Sequence, residues 1–448
     1  MPIRNRGLKL KITHLKYHFF MCLILFISII RAVFPLNVPV LIHLAIICLM
    51  VFFCNKVELI ACMCCLLPML GIMQNRMALL LVAIGVAIRI KRIDLKGVFP
   101  LVLMIIWELV HAGQSHLQIY GFLQDFSPLI ALTVLLIDDD RNDCDFDFIG
   151  RAFAYMTLTC SFINLLACNV QYGYSILSLG RLGNLSAEYE DFRGLINPNT
   201  NSFICLIALC ALLLLRYTSK EKRSDMFAIA CLIAIILLTQ SKAAILCALI
   251  SFLLFAMTIK HKVLTSRTMM RVAGAVIAVA VFGVMFGDLI EAILSRFKSG
   301  DFTTGRIFID LFYFKHIISG VKNLLFGTGL YNYTDQMMSI YPYNDRIWMQ
   351  FPGLATMSKG AVVYKPCHLG ILEIVVVWGI PGLLLIYLLF KAMLKKRKMK
   401  DNKANLVPIF LIFIYCLQSG FIGSYSVLHA LLIVYLGLKY TNSVVQLL

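Results

Sequence analysis

Long apolar runs recur along this chain, separated by short polar breaks in which basic residues collect. The runs fall at 17–34, 38–54, 57–73, 77–90, 97–113, 118–137, 148–170, 200–216, 225–240, 243–259, 272–289, 369–393, 405–421 and 424–440. Most approach or exceed the ~18–20 residues that a helix needs to cross a bilayer. A membrane β-barrel would instead show short segments of alternating polarity. The pattern therefore predicts an all-α protein, a polytopic bundle of about 12–14 transmembrane helices forming one integral membrane domain over residues 1–448. The basic start and apolar stretch at 17–34 lack a small-residue cleavage site, so this run is expected to be retained as the first helix.

Two breaks are longer than the rest, at 171–199 and 290–368. The second is too long for a passive connector. Within it, "TTGRIFIDLFYFKHIISGVKNLLFG" (303–327) reads as one amphipathic helix, with Ile307, Leu311, Phe314, Ile318 and Val321 recurring at helical spacing. Gly305 precedes it, and Gly327 with Gly329 ends it. Arg306 lies in the first turn, where a cation opposes the helix dipole, so local stability does not account for it. No internal repeat, low-complexity tract or separate soluble domain is visible in the sequence.

Composition agrees with the pattern. Hydrophobic residues make up 60% of the chain and charged residues 14%, against about 25% charged in soluble domains. The mean hydropathy is +0.86. A net charge of +18 could signal nucleic acid, but the basic residues sit in clusters between spans, at 4–16, 89–96, 216–223, 260–271 and 395–403. With the N-terminus inside, alternating spans put every one of these clusters on the cytoplasmic side, as positive-inside orientation requires. Both termini are then cytoplasmic, and the 171–199 and 290–368 loops face outward. Contact with membrane lipids is expected, and nucleic acid is not. The acidic "DDDRNDCDFD" (138–147) falls inside, where acidic residues contribute little to orientation. The fifteen cysteines lie mostly in apolar runs and read as small packing hydrophobes.

The soluble motifs are missing. There is no P-loop, no HExxH and no Cys/His zinc spacing, so neither a metal nor another cofactor is implied. Carboxylates in or near spans are few: Glu108, Asp125 and Glu373. That disfavours a proton-coupled carrier, which relies on charges buried mid-helix. What remains is a set of polar residues expected on the outer face. Arg181, Arg193, Asn197 and Asn199 lie in "GRLGNLSAEYEDFRGLINPN", Lys242 lies in "TQSKAA", and Arg306 opens the long segment's helix. His368 and Glu373 lie in "KPCHLGILEIVVVWGIPG". Convergent cations suit an anionic head group, because the arginine fork binds phosphate oxygens in parallel pairs. The asparagines around Pro198 suit the start of a helix.

The order "FRGLINPN", "TQSKAA", "TTGRIFID…LLFGTGL", "HLGILEIVVVWGIPG" resembles the O-antigen polymerase and O-antigen ligase superfamily of bacterial inner-membrane proteins, over roughly residues 180–385. The family's Ser–Arg pair stands here as Ser241–Lys242, which keeps the charge and loses the bidentate fork. Its asparagine after the histidine is Leu369. The resemblance implies a glycosyltransferase acting on undecaprenyl-pyrophosphate-linked oligosaccharide, with transfer to a sugar hydroxyl and release of the lipid pyrophosphate. It also implies a periplasmic site for the long loop and a chain-length regulator as a partner. On that reading Arg193 and Arg306 hold the pyrophosphate, assisted by Lys242 and Arg181, and His368, or else Glu373, takes the acceptor's proton. Tyr331, Tyr333, Tyr341, Tyr343 and Trp348 offer faces on which sugars could stack. Plainer roles stand beside these. Arg193 could anchor a loop to lipid phosphate, and Arg306 could pair with Asp301 or Asp310. Lys242 could snorkel, Glu373 could be a structural acid, and the aromatics could be loop packing. The rival functions are a ligase of the same superfamily, with lipid A–core as acceptor, and a flippase of lipid-linked oligosaccharide. The flippase would more naturally show two related halves.

Overall fold

The computed structural model describes residues 14–33, 40–73, 77–93, 95, 98–112, 119–138, 145–172, 198–218, 223–239, 244–245, 247–250, 306–329, 333–358 and 361–395. These are mostly helical. Nine helices come first: α1 (Leu15–Val33), α2 (Val40–Phe53), α3 (Lys56–Met73), α4 (Met77–Ala87), α5 (Phe99–Ala112), α6 (Ile119–Ile137), α7 (Phe146–Tyr172), α8 (Pro198–Thr218) and α9 (Arg223–Leu238). After them come α10 (Arg306–Ile318), α11 (Val321–Phe326), α12 (Tyr333–Ile340) and α13 (Asp345–Gln350). A hairpin of β1 (Ala355–Ser358) and β2 (Ala361–Tyr364) then leads into α14 (Gly370–Lys395). The nine early helices and α14 lie within three residues of the predicted spans at either end. Two windows, Phe146–Ala167 and Gly370–Lys391, are long and apolar enough to cross a membrane, and seven other apolar helices run 10–17 residues. The runs at 272–289, 405–421 and 424–440, and most of 243–259, lie outside the described residues.

Helix starts follow local chemistry. Asn55 and Glu58 form a reciprocal capping box before α3: the Glu58 amide donates to Asn55 Oδ1 at 2.9 Å, and the Asn55 amide donates to Glu58 Oε2 at 2.9 Å. Asp145 caps α7 through the Phe148 amide at 3.1 Å. Proline 198 occupies the first turn of α8, where its missing N–H costs nothing.

Charged residues in the apolar body meet at one end of the helices. Lys56, opening α3, pairs with Asp138, just past α6, at 3.0 Å. Arg151 in the first turns of α7 grips Asp225 in the first turn of α9 at 3.1 Å and also pairs with Asp147. His14 Nδ1 lies 3.2 Å from Glu58. Each member belongs to a segment that the charge pattern assigns to the same side. Deletion of one partner would strand a buried charge, so these pairs hold the helix ends in register.

The long segment departs from expectation in three ways. The amphipathic helix predicted over 303–327 breaks at Ser319–Gly320, because the extended backbone of Gly320 caps a new helix. Ser319 Oγ and Asn323 Nδ2 both donate to the His316 carbonyl, at 2.7 and 3.1 Å, and fix the break. The apolar stripe read from the sequence is not the buried one. Ile309, Phe312, Tyr313, His316 and Ile317 face inward, while Ile307, Leu311, Phe314, Ile318 and Val321 are exposed. Finally, the all-α expectation missed the β1–β2 hairpin, whose register closes at Ser358↔Ala361.

At Gly379 α14 kinks, with φ at 67°. Two residues on, Pro381 has no N–H to give the Val377 carbonyl. The freed acceptors are taken from outside the helix: the Thr328 amide donates to Val376 O at 2.8 Å, and the Gly329 amide donates to Val377 O at 2.7 Å. The two backbones approach so closely that a Cβ on Gly379 would sit 2.2 Å from the Leu325 carbonyl oxygen. Gly379→Ala is expected to cost about 3 kcal/mol or more, from positive φ and overlap together. The check is the melting temperature in detergent, and an unchanged value would contradict this crossing.

Candidate functional site

The site is built where the long segment meets the start of α14. Asp310, on the second turn of α10, supplies the central acceptor. Its Oδ1 takes the His368 amide at 2.8 Å, the Leu369 amide at 3.1 Å and the Cys367 thiol at 3.4 Å. A carboxylate on the free amides at a helix start satisfies donors that α14 cannot, and its charge complements the helix dipole. Tyr313, one turn further along α10, donates its hydroxyl to the Lys365 carbonyl at 2.8 Å. Two side chains of one helix thus fix the segment 365–369 that carries His368.

His368 itself is partly buried. Burial first, and then the nearby Arg306 charge, lower its imidazole from the ordinary value to about 4, with Lys365 adding and Asp310 opposing. The ring is therefore neutral at pH 7, with a lone pair free of a proton. Arg306 and His368, predicted from separate motifs, thus share one electrostatic environment. An anion bound between them would raise the imidazole's proton affinity and make it a better base at the moment it is needed.

Beneath this layer lies a buried polar cluster. Glu373, fully buried in the first turn of α14, accepts from the Tyr333 hydroxyl at 3.1 Å. The Cys367 amide in turn donates to Tyr333 Oη at 3.0 Å, and the Tyr333 ring leans on Tyr313 at 6.0 Å. Burial pushes the hydroxyls of Tyr313 and Tyr333 and the thiol of Cys367 well above their ordinary values, and neighbouring acids add to each shift. Cys367 is a protonated donor, not a thiolate nucleophile. Deeper still, Trp378 Nε1 donates to Glu108 Oε2 at 2.8 Å. His111 Nε2 lies 2.7 Å from the Phe326 carbonyl.

Two sequence assignments change here. Tyr333 is not a sugar platform: its ring is packed and its hydroxyl is engaged by Glu373 and Cys367. Glu373, as second choice for the base, is sealed under Tyr333 and supports the shell rather than facing an acceptor. Tyr341 is also packing, edge-on to Phe312 at 5.5 Å and with its carbonyl accepting from Tyr364 Oη at 2.8 Å, whereas Tyr343 is exposed. Asn199 lies in the first turn of α8 and Trp348 in α13. Arg181, Arg193, Asn197, Lys242 and Tyr331 lie outside the described residues. The sequence offers Asp310 only as an ion-pair partner for Arg306. Its spacing, one turn beyond Arg306, was visible. Its use as a cap on a helix 60 residues later was not, because nothing local encodes that pairing.

No family model matches this chain, and no curated protein matches it.

Two predictions come from this geometry. Asp310→Ala should destabilise the start of α14 by about 1–2 kcal/mol and speed amide exchange at 367–370, whereas exchange at wild-type rates would contradict the cap. The second concerns pH. The unfolded chain takes up a proton at His368 near 6.5, and the folded chain does so only near 4. Stability therefore falls as pH drops through that window. His368→Gln should flatten the fall, as measured by thermal unfolding at stepped pH; an unaltered slope would contradict the buried neutral ring.

Proposed function

We propose that this chain is a polytopic membrane glycosyltransferase that polymerises polyprenyl-pyrophosphate-linked oligosaccharide repeat units, at the outer face of a bacterial inner membrane. The observation that carries the reading is the convergence of Arg306 and His368 at the mouth of α14. Arg306 opens α10 one turn before Asp310, whose Oδ1 holds the His368 amide at 2.8 Å, and the Arg306 charge acts on the imidazole. The ordered motifs and the charge pattern along the chain support the same reading.

The chemistry follows from the residues. The acceptor hydroxyl of one lipid-linked unit attacks the anomeric carbon of another. Its oxygen forms the new glycosidic bond as the bond from that carbon to the pyrophosphate oxygen breaks. The bonding pair leaves with the pyrophosphate, whose growing charge Arg306 stabilises, with Arg193 and Lys242 as expected partners. The hydroxyl proton passes to His368. Arg181, Asn197 and Asn199 are expected to add polar contacts to the pyrophosphate or glycan. The sugar bond's energy is already stored in the lipid pyrophosphate, so no nucleotide is needed. Partners on this reading are the undecaprenyl-linked oligosaccharide and a chain-length regulator. Both termini are cytoplasmic, and the long segment lies on the periplasmic side.

The test is reconstitution of the purified full chain in liposomes with lipid-linked repeat unit alone. Longer glycans and free polyprenyl pyrophosphate are expected. Arg306→Ala and Arg193→Ala should each lower elongation by about 10²-fold or more while the protein still inserts. Translocation without elongation would make the chain a carrier, and transfer only after addition of lipid A–core would make it a ligase.

A further inference from the structure

We infer that α10, α11 and the turn at 327–329 are seated in the outer leaflet of the bilayer, with the exposed apolar face of α10 and α11 in contact with lipid. The inference rests on the membrane part of the proposed function and not on its transfer chemistry.

Depth is the first argument. Thr328 and Gly329 bond to carbonyls at Val376 and Val377, and Gly379 crosses Leu325. Those positions lie about 9–13 Å along α14 from its start, at 1.5 Å per residue. In a spanning α14 that distance is well inside a leaflet whose hydrocarbon is about 15 Å thick. The turn at 327–329 must lie at the same level. Its backbone is prepared for that place. Gly327 donates to Asn323 O at 3.0 Å, and the next two amides are bonded to α14, so no donor in the turn is left for water. Irregular backbone is tolerated at membrane depth only on those terms.

The second argument is the face itself. Helix α10 packs one apolar side on the hairpin and α12, yet its other side is apolar too. Ile307, Leu311, Phe314, Ile318, Val321 and Leu325 are exposed, Ile318 by 63% and Val321 by 72%. A contiguous exposed apolar face of this kind belongs against a nonpolar medium, not water. Two cations are exposed along α10 and α11: Lys315, which turns back over the Phe351 ring at 4.8 Å, and Lys322; Arg306 heads α10. Cations at the edge of an apolar face suit phospholipid head groups. The face is also continuous with other exposed apolar surface. Phe326 stacks on Trp107 of α5 at 5.9 Å, and Ile106, Leu109 and Val110 of α5 are exposed beside it.

The experiment uses the full chain in liposomes of phosphatidylglycerol and phosphatidylethanolamine carrying a diazirine in the acyl chain. After photolysis, lipid adducts are mapped by mass spectrometry. Adducts are expected on 307–325 at a yield within about threefold of that on α5 and α14. Phe314→Glu with Ile318→Glu should cut the adducts on 307–325 by about tenfold and leave those on α5 and α14 unchanged. Adducts on α5 and α14 with none on 307–325 would overturn the seating. Adducts absent from α5 and α14 as well would remove the membrane reading, and this inference with it, whatever the outcome of the glycan assay.

Discussion

One carboxylate organises the functional end of this molecule. Asp310 accepts the first free amides of α14 and the Cys367 thiol in a single oxygen's coordination. Without it the amides ahead of a mostly buried helix would lose their partner, and the segment bearing His368 would keep only the bonds of its residues 365 and 367 to Tyr313, Leu354 and Tyr333. Everything proposed about the site requires that α10 and α14 keep this relation. Arg306 is one turn before Asp310 on α10, and His368 is the residue whose amide Asp310 binds. The cap therefore also sets the distance between the cation and the base.

The same logic of satisfied polar groups runs through the apolar body. At one end, Lys56, Arg151 and His14 find Asp138, Asp225 and Glu58. At the other, the carbonyls released by Gly379 and Pro381 are taken by the amides of Thr328 and Gly329. Polar groups in a nonpolar setting are costly when unmatched, so each one fixes the position of its partner. Opposite ends of the helices thus carry different devices, ion pairs at one and a backbone crossing at the other. The second is the more demanding, since it requires glycine at both 327 and 379.

Much of this was legible in the sequence. Apolar run length gave the helices, because burying an apolar helix depends on composition summed over many residues. Pro198 after Asn197 announced the start of α8. The long segment was harder. The stripe Ile307–Leu311–Phe314–Ile318–Val321 has helical spacing, but so does the inward set Ile309–Phe312–Tyr313–Ile317. Spacing cannot say which face is covered when both are apolar. The break at Gly320 depends on Ser319 and Asn323 reaching back to His316, a contact invisible in a run of helix-compatible residues. The hairpin did leave a trace. "ATMSKGAVVY" carries a Lys–Gly pair between β-capable runs, but it is short and sits inside a long polar break. The roles of Tyr333 and Glu373 depend on a pairing across 40 residues, which no local pattern reports.

Among the described residues, the long segment folds back against α14 and places Arg306 and His368 near its start. Fixed charge and a neutral imidazole in a partly desolvated place are what departure of a diphosphate requires. The most direct measurement is a structure of the full chain with a polyprenyl diphosphate analogue bound. The account predicts diphosphate density between the Arg306 guanidinium and the His368 ring, with Arg193 reaching the same phosphates. Density elsewhere, or Arg193 on the opposite side of the bilayer from Arg306, would contradict it.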